Sequence, residues 1–299
     1  RTVCLQIYLG LYLEPHRRQA LVQHYRRLLG ERQSITVTGE QVLVAEMEAW
    51  AQAWARLRHP PAWMPLRLVH TPAAPVTIRA EGERLLYCPA GGPAQDLTST
   101  VGGSDRDIWD RREHTGATLD PDRLVPVWEA TEQQLRQAAE SGARARERWG
   151  GDYLLHALVA MPYWACYSAL GFAGLMETMR ADAGLLAELV ARATHNACQR
   201  VRLLAAAGTP CIFFEECLCS SDLISEEDYL RFSYPATRAV LEAARAAGMR
   251  TVYYFCGGIE RRLEHLAHLP ADALAFEESK KGFSIDLARV RAAVGPERP

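Results

Sequence analysis

Cys211-Ile-Phe-Phe-Glu-Glu216 is four β-prone apolar residues closed by two acids. A run with no polar face fits a strand covered on both sides, as in a parallel sheet flanked by helices. Working outward, the same pattern returns. Thr251-Val-Tyr-Tyr-Phe255 leads into Cys256-Gly-Gly258, and Ala273-Leu-Ala-Phe276 leads into Glu277 and Glu278. Upstream, His156-Ala-Leu-Val-Ala-Met161 is a further short apolar run. Between these runs lie helical stretches. Asp182 to Ala207 repeats Leu, Ala and Val at helical spacing and is followed by Gly208, a natural terminator. Ser225-Glu-Glu-Asp228 has the form of a capping box, in which the serine oxygen accepts from first-turn amides. Pro235 opens a helix running to Ala247 and closed by Gly248, and further helices are expected around Glu260 to His268 and from Asp286 to Val294.

Apolar strands alternating with amphipathic helices predict an α/β fold with a parallel sheet. A closed barrel and an open doubly wound sheet both satisfy the pattern, and both gather chemistry just after the strands. No Gly-x-Gly-x-x-Gly loop follows any strand, so a dinucleotide-binding fold loses support. The expected fold is a (β/α)8 TIM-type barrel. Counting strands leaves it unclosed at Val294, so the barrel is expected to be incomplete at the C-terminus, with its closing strands beyond Pro299. The first half is less regular. Val3 to Leu9 reads as a strand, Pro15 to Leu29 as a basic helix, and Val42 to Leu57 as an amphipathic helix carrying Trp50 and Trp54. Residues 59–104 are rich in Pro and Gly and read as an irregular insertion holding a hairpin, Val76-Thr-Ile78 with Leu85-Leu-Tyr87. A single barrel domain over residues 1–299 is the expected organisation.

The 299 residues suit one such barrel, which typically takes about 250. Apolar residues at 48% and charged residues at 23% supply an ordinary globular core. A net charge of -2 and a pI of about 6.6 exclude recruitment of nucleic acid or an anionic membrane by charge alone. No apolar run reaches the roughly 18 residues of a membrane-spanning helix. Eight cysteines lie scattered rather than in the dense framework of a small secreted scaffold, so a reducing cytoplasm is the expected location.

Several of these stretches together resemble the uroporphyrinogen decarboxylase superfamily, which includes the decarboxylase and zinc-dependent, corrinoid-linked methyltransferases. Leu223-Ile-Ser-Glu-Glu-Asp-Tyr-Leu-Arg-Phe-Ser-Tyr-Pro235 is similar to that family's Ser-Pro-Glu-x-Phe helix entry. Val252-Tyr-Tyr-Phe-Cys-Gly257 is similar to the methyltransferases' His-x-Cys-Gly strand end, and Ala275-Phe-Glu-Glu-Ser-Lys-Lys-Gly282 to the next unit. The resemblance covers residues 150 to 299 and is faint before them. Gly10-Leu-Tyr-Leu13 can be laid over the decarboxylase's Gly-Arg-Tyr-Leu, but Leu11 and Ile7 then stand where that enzyme has arginines. Those arginines resemble clamps for a many-carboxylate substrate, so their loss argues against uroporphyrinogen as substrate. In the methyltransferase pattern a histidine and a cysteine two residues apart bind zinc. Here Cys256 is kept, while Tyr254 takes the histidine position.

The resemblance and the strand ends together name the candidate residues. Cys256, before two glycines, is either a zinc ligand or an inert core thiol. Of the two acids closing the first strand, alternation sends one inward. Glu216 is the expected one, as metal ligand or catalytic acid, with Glu277 as a second catalytic carboxylate across the mouth and Lys280 as a salt-bridge partner. Tyr254 is a candidate acid or hydrogen-bond donor, or a core tyrosine. Cys217 and Cys219 share a face if the chain stays extended, a weak signal for metal. Tyr163 and Trp164, in Met161-Pro-Tyr-Trp164, resemble the family's pocket-lining loop and are candidates for a cofactor-facing wall, though core packing also accounts for them.

The function implied is methyl transfer between a corrinoid carrier and a thiol or similar acceptor, with zinc held by Cys256 and Glu216. The methyl donor would be a small molecule or a corrinoid protein, and a homo-oligomer is compatible. The alternatives are a metal-free uroporphyrinogen (porphyrin-precursor) decarboxylase and a catalytically degraded barrel that binds a tetrapyrrole.

Overall fold

The computed structural model describes residues 6–56, 63–65, 74–90, 92–99, 120–277 and 282–295. They fall into two compact units, Arg1–Arg106 with Gln137–His156 and Asp107–Arg136 with Ala157–Pro299.

In the first unit, α1 (Gln6–Leu29) and α2 (Gly39–Trp54) pack together, with β1 (Ser34–Val37) between them in the chain. Thr38 starts α2 through a capping box with Gln41, which satisfies two donors that the first turn leaves orphaned. The apolar stripe of α2 buries Leu43, Met47, Trp50 and Trp54 together with Trp149. Its opposite side buries Val42, Ala45 and Ala49 against Ile78 and Leu85. The expected hairpin is present as β3 (Val76–Glu81) antiparallel to β4 (Arg84–Pro89), in a sheet of order β1-β3-β4-β5 that β5 (Gln95–Asp96) completes. One expectation fails. Val3 to Leu9 was expected to be a strand, but from Gln6 onward this segment is helical and runs unbroken through Pro15 to Leu29. A short apolar run does not by itself distinguish strand from buried helix. The side chains of Ile7 and Leu11, which stand at the arginine positions, lie outside the described residues. A short β2 (Trp63–Pro65) runs parallel to the start of β6 (Leu154–Ala160).

The second unit is an α/β layer with a parallel sheet. After α3 (Pro121–Leu124), the chain passes through α4 (Glu132–Trp149), which belongs to the first unit from Gln137 on. The strands β6, β7 (Cys211–Glu216), β8 (Arg250–Phe255) and β9 (Ala273–Phe276) then lie side by side in chain order, with β7–β8 and β8–β9 parallel. Helices α5 (Pro162–Ala181) and α6 (Ala183–Ala206) connect β6 to β7. A short α7 (Glu226–Asp228), a π-helical turn over Tyr229–Ser233 and α8 (Tyr234–Ala246) connect β7 to β8, and α9 (Leu263–Ala267) connects β8 to β9. The chain continues into α10 (Leu287–Val294), capped by Asp286. Ser225 caps α7 by accepting from the Asp228 N–H, as its sequence form predicts. Among the described residues the sheet does not close into a ring. Met161-Pro-Tyr-Trp164 is not a loop: Pro162 takes the first turn of α5, where its missing N–H costs nothing.

The two faces of this sheet differ. Ile212, Phe214, Thr251, Tyr253 and Phe255 are all fully buried, and Tyr229 of the π-helical turn meets Phe255 edge-on at 6.4 Å. This is the helix-covered face. On the other face Glu215, Val252, Ala273 and Ala275 keep some exposure. The start of β8 is tied to β9 by Asp272, which accepts from the Thr251 N–H at 2.9 Å, the Thr251 hydroxyl at 3.1 Å and Arg250 at 2.7 Å. Partial burial works against ionising Asp272, but Arg250 and Thr251 outweigh it and hold the carboxyl below its ordinary value. A depressed folded value stabilises the fold above the unfolded carboxylate range and loses that stabilisation as pH falls. Asp272→Ala is therefore expected to cost roughly 1–3 kcal/mol at neutral pH, because it strands the buried Thr251 N–H. Urea melts at pH 7 and pH 3 check this: the gap between variant and parent should narrow in acid.

Candidate metal and catalytic site

The pairing of β7 with β8 sets Glu215 opposite Tyr254 and Glu216 opposite Phe255. In-register neighbours in a sheet point to the same face, and successive residues alternate. Glu215 and Tyr254 thus share the less covered face, while Glu216 goes with Phe255 to the helix-covered one. The ladder runs one step further, since the Cys256 N–H donates to the Glu216 carbonyl at 2.9 Å. That places Cys217 and Cys256 next to each other just past the strand ends.

The result is a compact donor cluster. Cys217 Sγ lies 2.9 Å from Cys256 Sγ and 3.3 Å from Glu215 Oε1. One ligand atom from each of the three residues falls within 4.8 Å of the others, and all three are partly or wholly buried. Glu277, just after β9, borders it. Its Oε2 accepts the Gly257 N–H at 3.0 Å, and its charge is felt at Glu215. One acid of β7, Glu215, the thiol after β8 and the acid after β9 therefore come together, while the second acid, Glu216, does not join them.

The loops carrying these groups interlock. Gly258 N–H donates to Asp222 Oδ1 at 2.8 Å, and Ser221 N–H donates to the Gly258 carbonyl at 3.0 Å. Gly257 has φ +92, and a Cβ built on it would lie 2.6 Å from both Cβ and Oγ of Ser220. Only glycine lets the two loops approach this closely.

Burial and hydrogen bonding dominate the electrostatics, and charge crowding adds to them. Burial pushes the Glu215 carboxyl up, and the charge of Glu277 adds to the rise, against a lowering hydrogen bond from Cys217. The Cys217 thiol is pushed far up, first by its hydrogen bond to Cys256 and then by burial. Donors gathered this tightly resist ionising unless a cation neutralises them.

Glu216 sits elsewhere. It was expected to stand with Cys256, but its side chain is fully buried on the helix-covered side and Oε1 accepts the Leu218 N–H at 3.1 Å. Burial raises its carboxyl to about 7, despite the opposing backbone N–H groups of Leu218 and Cys217. Its second oxygen, Oε2, is a buried orphan among the described residues. Glu216 thus anchors the turn that presents Cys217. Cys219 parts from Cys217 because the strand ends at Glu216 and the chain turns. Its thiol is fully enclosed, close to Glu216 and Arg262. Arg262, itself buried, is held by the Cys219 and Ile224 carbonyls at 3.1 and 2.8 Å.

The aromatic candidates divide similarly. The Tyr254 ring lies 5.9 Å from Phe213 on the cluster's face. Tyr163, expected to wall a pocket, is fully enclosed, with its hydroxyl 3.6 Å from Met179 Sδ. Trp164 packs on Tyr167 at 5.2 Å. Glu278 and Lys280 lie outside the described residues. Sequence reasoning missed Glu215 as the partner of Cys256, and Asp222 and Gly257 as the clasp between loops. The i, i+2 relation of Tyr254 to Cys256 carried the signal, but only with the β7–β8 register in hand.

A family model described as uroporphyrinogen decarboxylase (URO-D) matches residues 114–297. Among solved structures, a methyltransferase from Methanosarcina mazei is similar, with a TM-score of 0.46 and 18% identity over 53% of this chain and 45% of that one. The chain thus spans less than half of that methyltransferase's length. No curated protein matches the sequence. No helix among the described residues is long and apolar enough to cross a membrane.

Proposed function

Since the chain belongs to the uroporphyrinogen decarboxylase family, we propose that it is a metal-dependent methyl-transfer enzyme, moving a methyl group from a corrinoid carrier, free or on a carrier protein, to a thiol acceptor. In this reading β6 to β9 are an arc of a (β/α)8 barrel, and the cluster lies at the C-terminal mouth, where such barrels keep their chemistry. A reducing cytoplasm, which keeps thiols free, is the location that suits it.

The observation that carries the proposal is the donor set Glu215, Cys217 and Cys256, packed within 4.8 Å. Two sulfurs and a carboxylate oxygen suit zinc, whose catalytic sites take three protein ligands and leave a fourth position for substrate. The histidine that Tyr254 replaces is made good by Cys217, from the neighbouring strand end. Bound there, zinc supplies the Lewis acidity that lowers the pKa of an acceptor thiol.

The chain's own residues divide the remaining work. Tyr254 and Phe213 offer an aromatic wall beside the cluster. Glu277 positions Cys256 indirectly, by gripping the Gly257 N–H. Glu216 positions Cys217 by holding the Leu218 N–H.

Glu215→Gln and Glu216→Gln separate ligand from anchor. Glu215→Gln is expected to weaken zinc binding by more than about 100-fold, because it removes the anionic oxygen ligand. Glu216→Gln keeps an oxygen for Leu218 and should lose no more than about 10–100-fold, the usual effect of an outer-shell change. Zinc titration against a competing chelator measures both, alongside methylation of a small thiol by methylcobalamin. Equal losses in the two variants, or zinc-independent turnover, would defeat the assignment.

A further inference from the structure

The two thiols have a chemistry of their own beside metal binding. Cys217 and Cys256 stand side by side one step beyond the Glu216–Phe255 pair. Neighbouring strand backbones lie about 4.8 Å apart, inside the roughly 4.4–6.8 Å Cα separation that a disulfide accepts. The sulfurs are already 2.9 Å apart, so closing to the roughly 2.05 Å of an S–S bond requires no rearrangement of the strands. Cys217 keeps partial exposure, which leaves the pair open to a small oxidant. Cys166, Cys219 and Cys211 are buried instead.

We propose that Cys217 and Cys256 form a reversible disulfide under peroxide, a modification that disables the donor cluster. One cysteine loses its proton to solvent and attacks the peroxide as the thiolate. An S–O bond forms, the O–O bond breaks, and the departing hydroxide takes up that proton to leave as water, giving a sulfenic acid. The second thiol then attacks that sulfur: an S–S bond forms, the S–O bond breaks, and a second water leaves. The pair gives up two electrons and the peroxide is reduced to two waters. A reducing dithiol restores both thiols by exchange. The disulfide chemistry stands on the strand geometry; only its consequence, release of the metal, rests on the zinc reading. Once the sulfurs are bonded to each other, neither is available as a thiolate ligand.

The test uses the whole chain, metal-free and zinc-loaded, exposed to hydrogen peroxide. Free thiols are counted out of the eight cysteines, and the linked peptides are mapped by mass. The expected result is loss of two thiols, a peptide joining Cys217 to Cys256, release of zinc in step with that link, and recovery with dithiothreitol. Cys217→Ser and Cys256→Ser should each abolish the link. Oxidation of the metal-free protein to sulfinic acid without a link, or a link between other cysteines, overturns the proposal and leaves the zinc reading standing. A link in a protein that never takes up zinc upholds the disulfide and removes the zinc reading.

Discussion

Cys256→Ala is expected to abolish stoichiometric zinc and, with it, thiol methylation. Loss of an outer-shell partner of a metal already costs about 10–100-fold in affinity, so removing one of two sulfur ligands should exceed about 100-fold. Cys256 lies after β8 and is only partly buried, so the fold should hardly notice, with unfolding free energy unchanged within about 1 kcal/mol. That combination matters, because a collapsed fold would also lose metal. The measurement is zinc content after gel filtration, read beside a urea melt. A variant that keeps zinc at the parent level would remove Cys256 from the ligand set.

Gly257→Ala should have the largest effect on stability of any single change considered. An alanine at φ +92 is strained, by about 1–2 kcal/mol. Its Cβ would also meet Ser220 Cβ at 2.6 Å and Asp222 Oδ1 at 3.1 Å, and overpacking of that kind costs about 1–3 kcal/mol more. The expected loss is therefore about 2–5 kcal/mol, with the Gly257–Glu277 hydrogen bond displaced and zinc affinity falling with it. Gly248→Ala is the control. Its φ is also positive, +76, but nothing lies within 4 Å of the added carbon, so only the backbone strain should appear. Denaturant melts of the two variants separate strain from crowding; equal losses would contradict the close approach of the two loops.

How much of this was legible beforehand depended on the physics involved. The run Cys211 to Phe214 and its counterparts on β8 and β9 lack any polar face, and burial on both sides of a parallel sheet is the structure that tolerates this. Asp182, Ser225, Gly208 and Gly248 mark helix ends by local hydrogen bonding or positive φ, which are properties of a few consecutive residues. The choice between Glu215 and Glu216 is of another kind. Both are acids at the same strand end, and their difference is which face the helices cover, a property of elements far away in sequence. Cys219 misled for a related reason: two residues share a face only while a strand lasts, and β7 stops at Glu216. The segment from Gln6 was misread because a short apolar run carries too little period to separate helix from strand.

The central claim is that Glu215, Cys217 and Cys256 grip one ion together. X-ray absorption at the zinc edge of the loaded, reduced protein tests it directly. The account predicts two sulfur scatterers at about 2.3 Å with oxygen at about 2.0–2.2 Å, and one sulfur fewer in Cys217→Ser. A shell of nitrogen and oxygen alone, or a sulfur count that Cys217→Ser leaves unchanged, would contradict it.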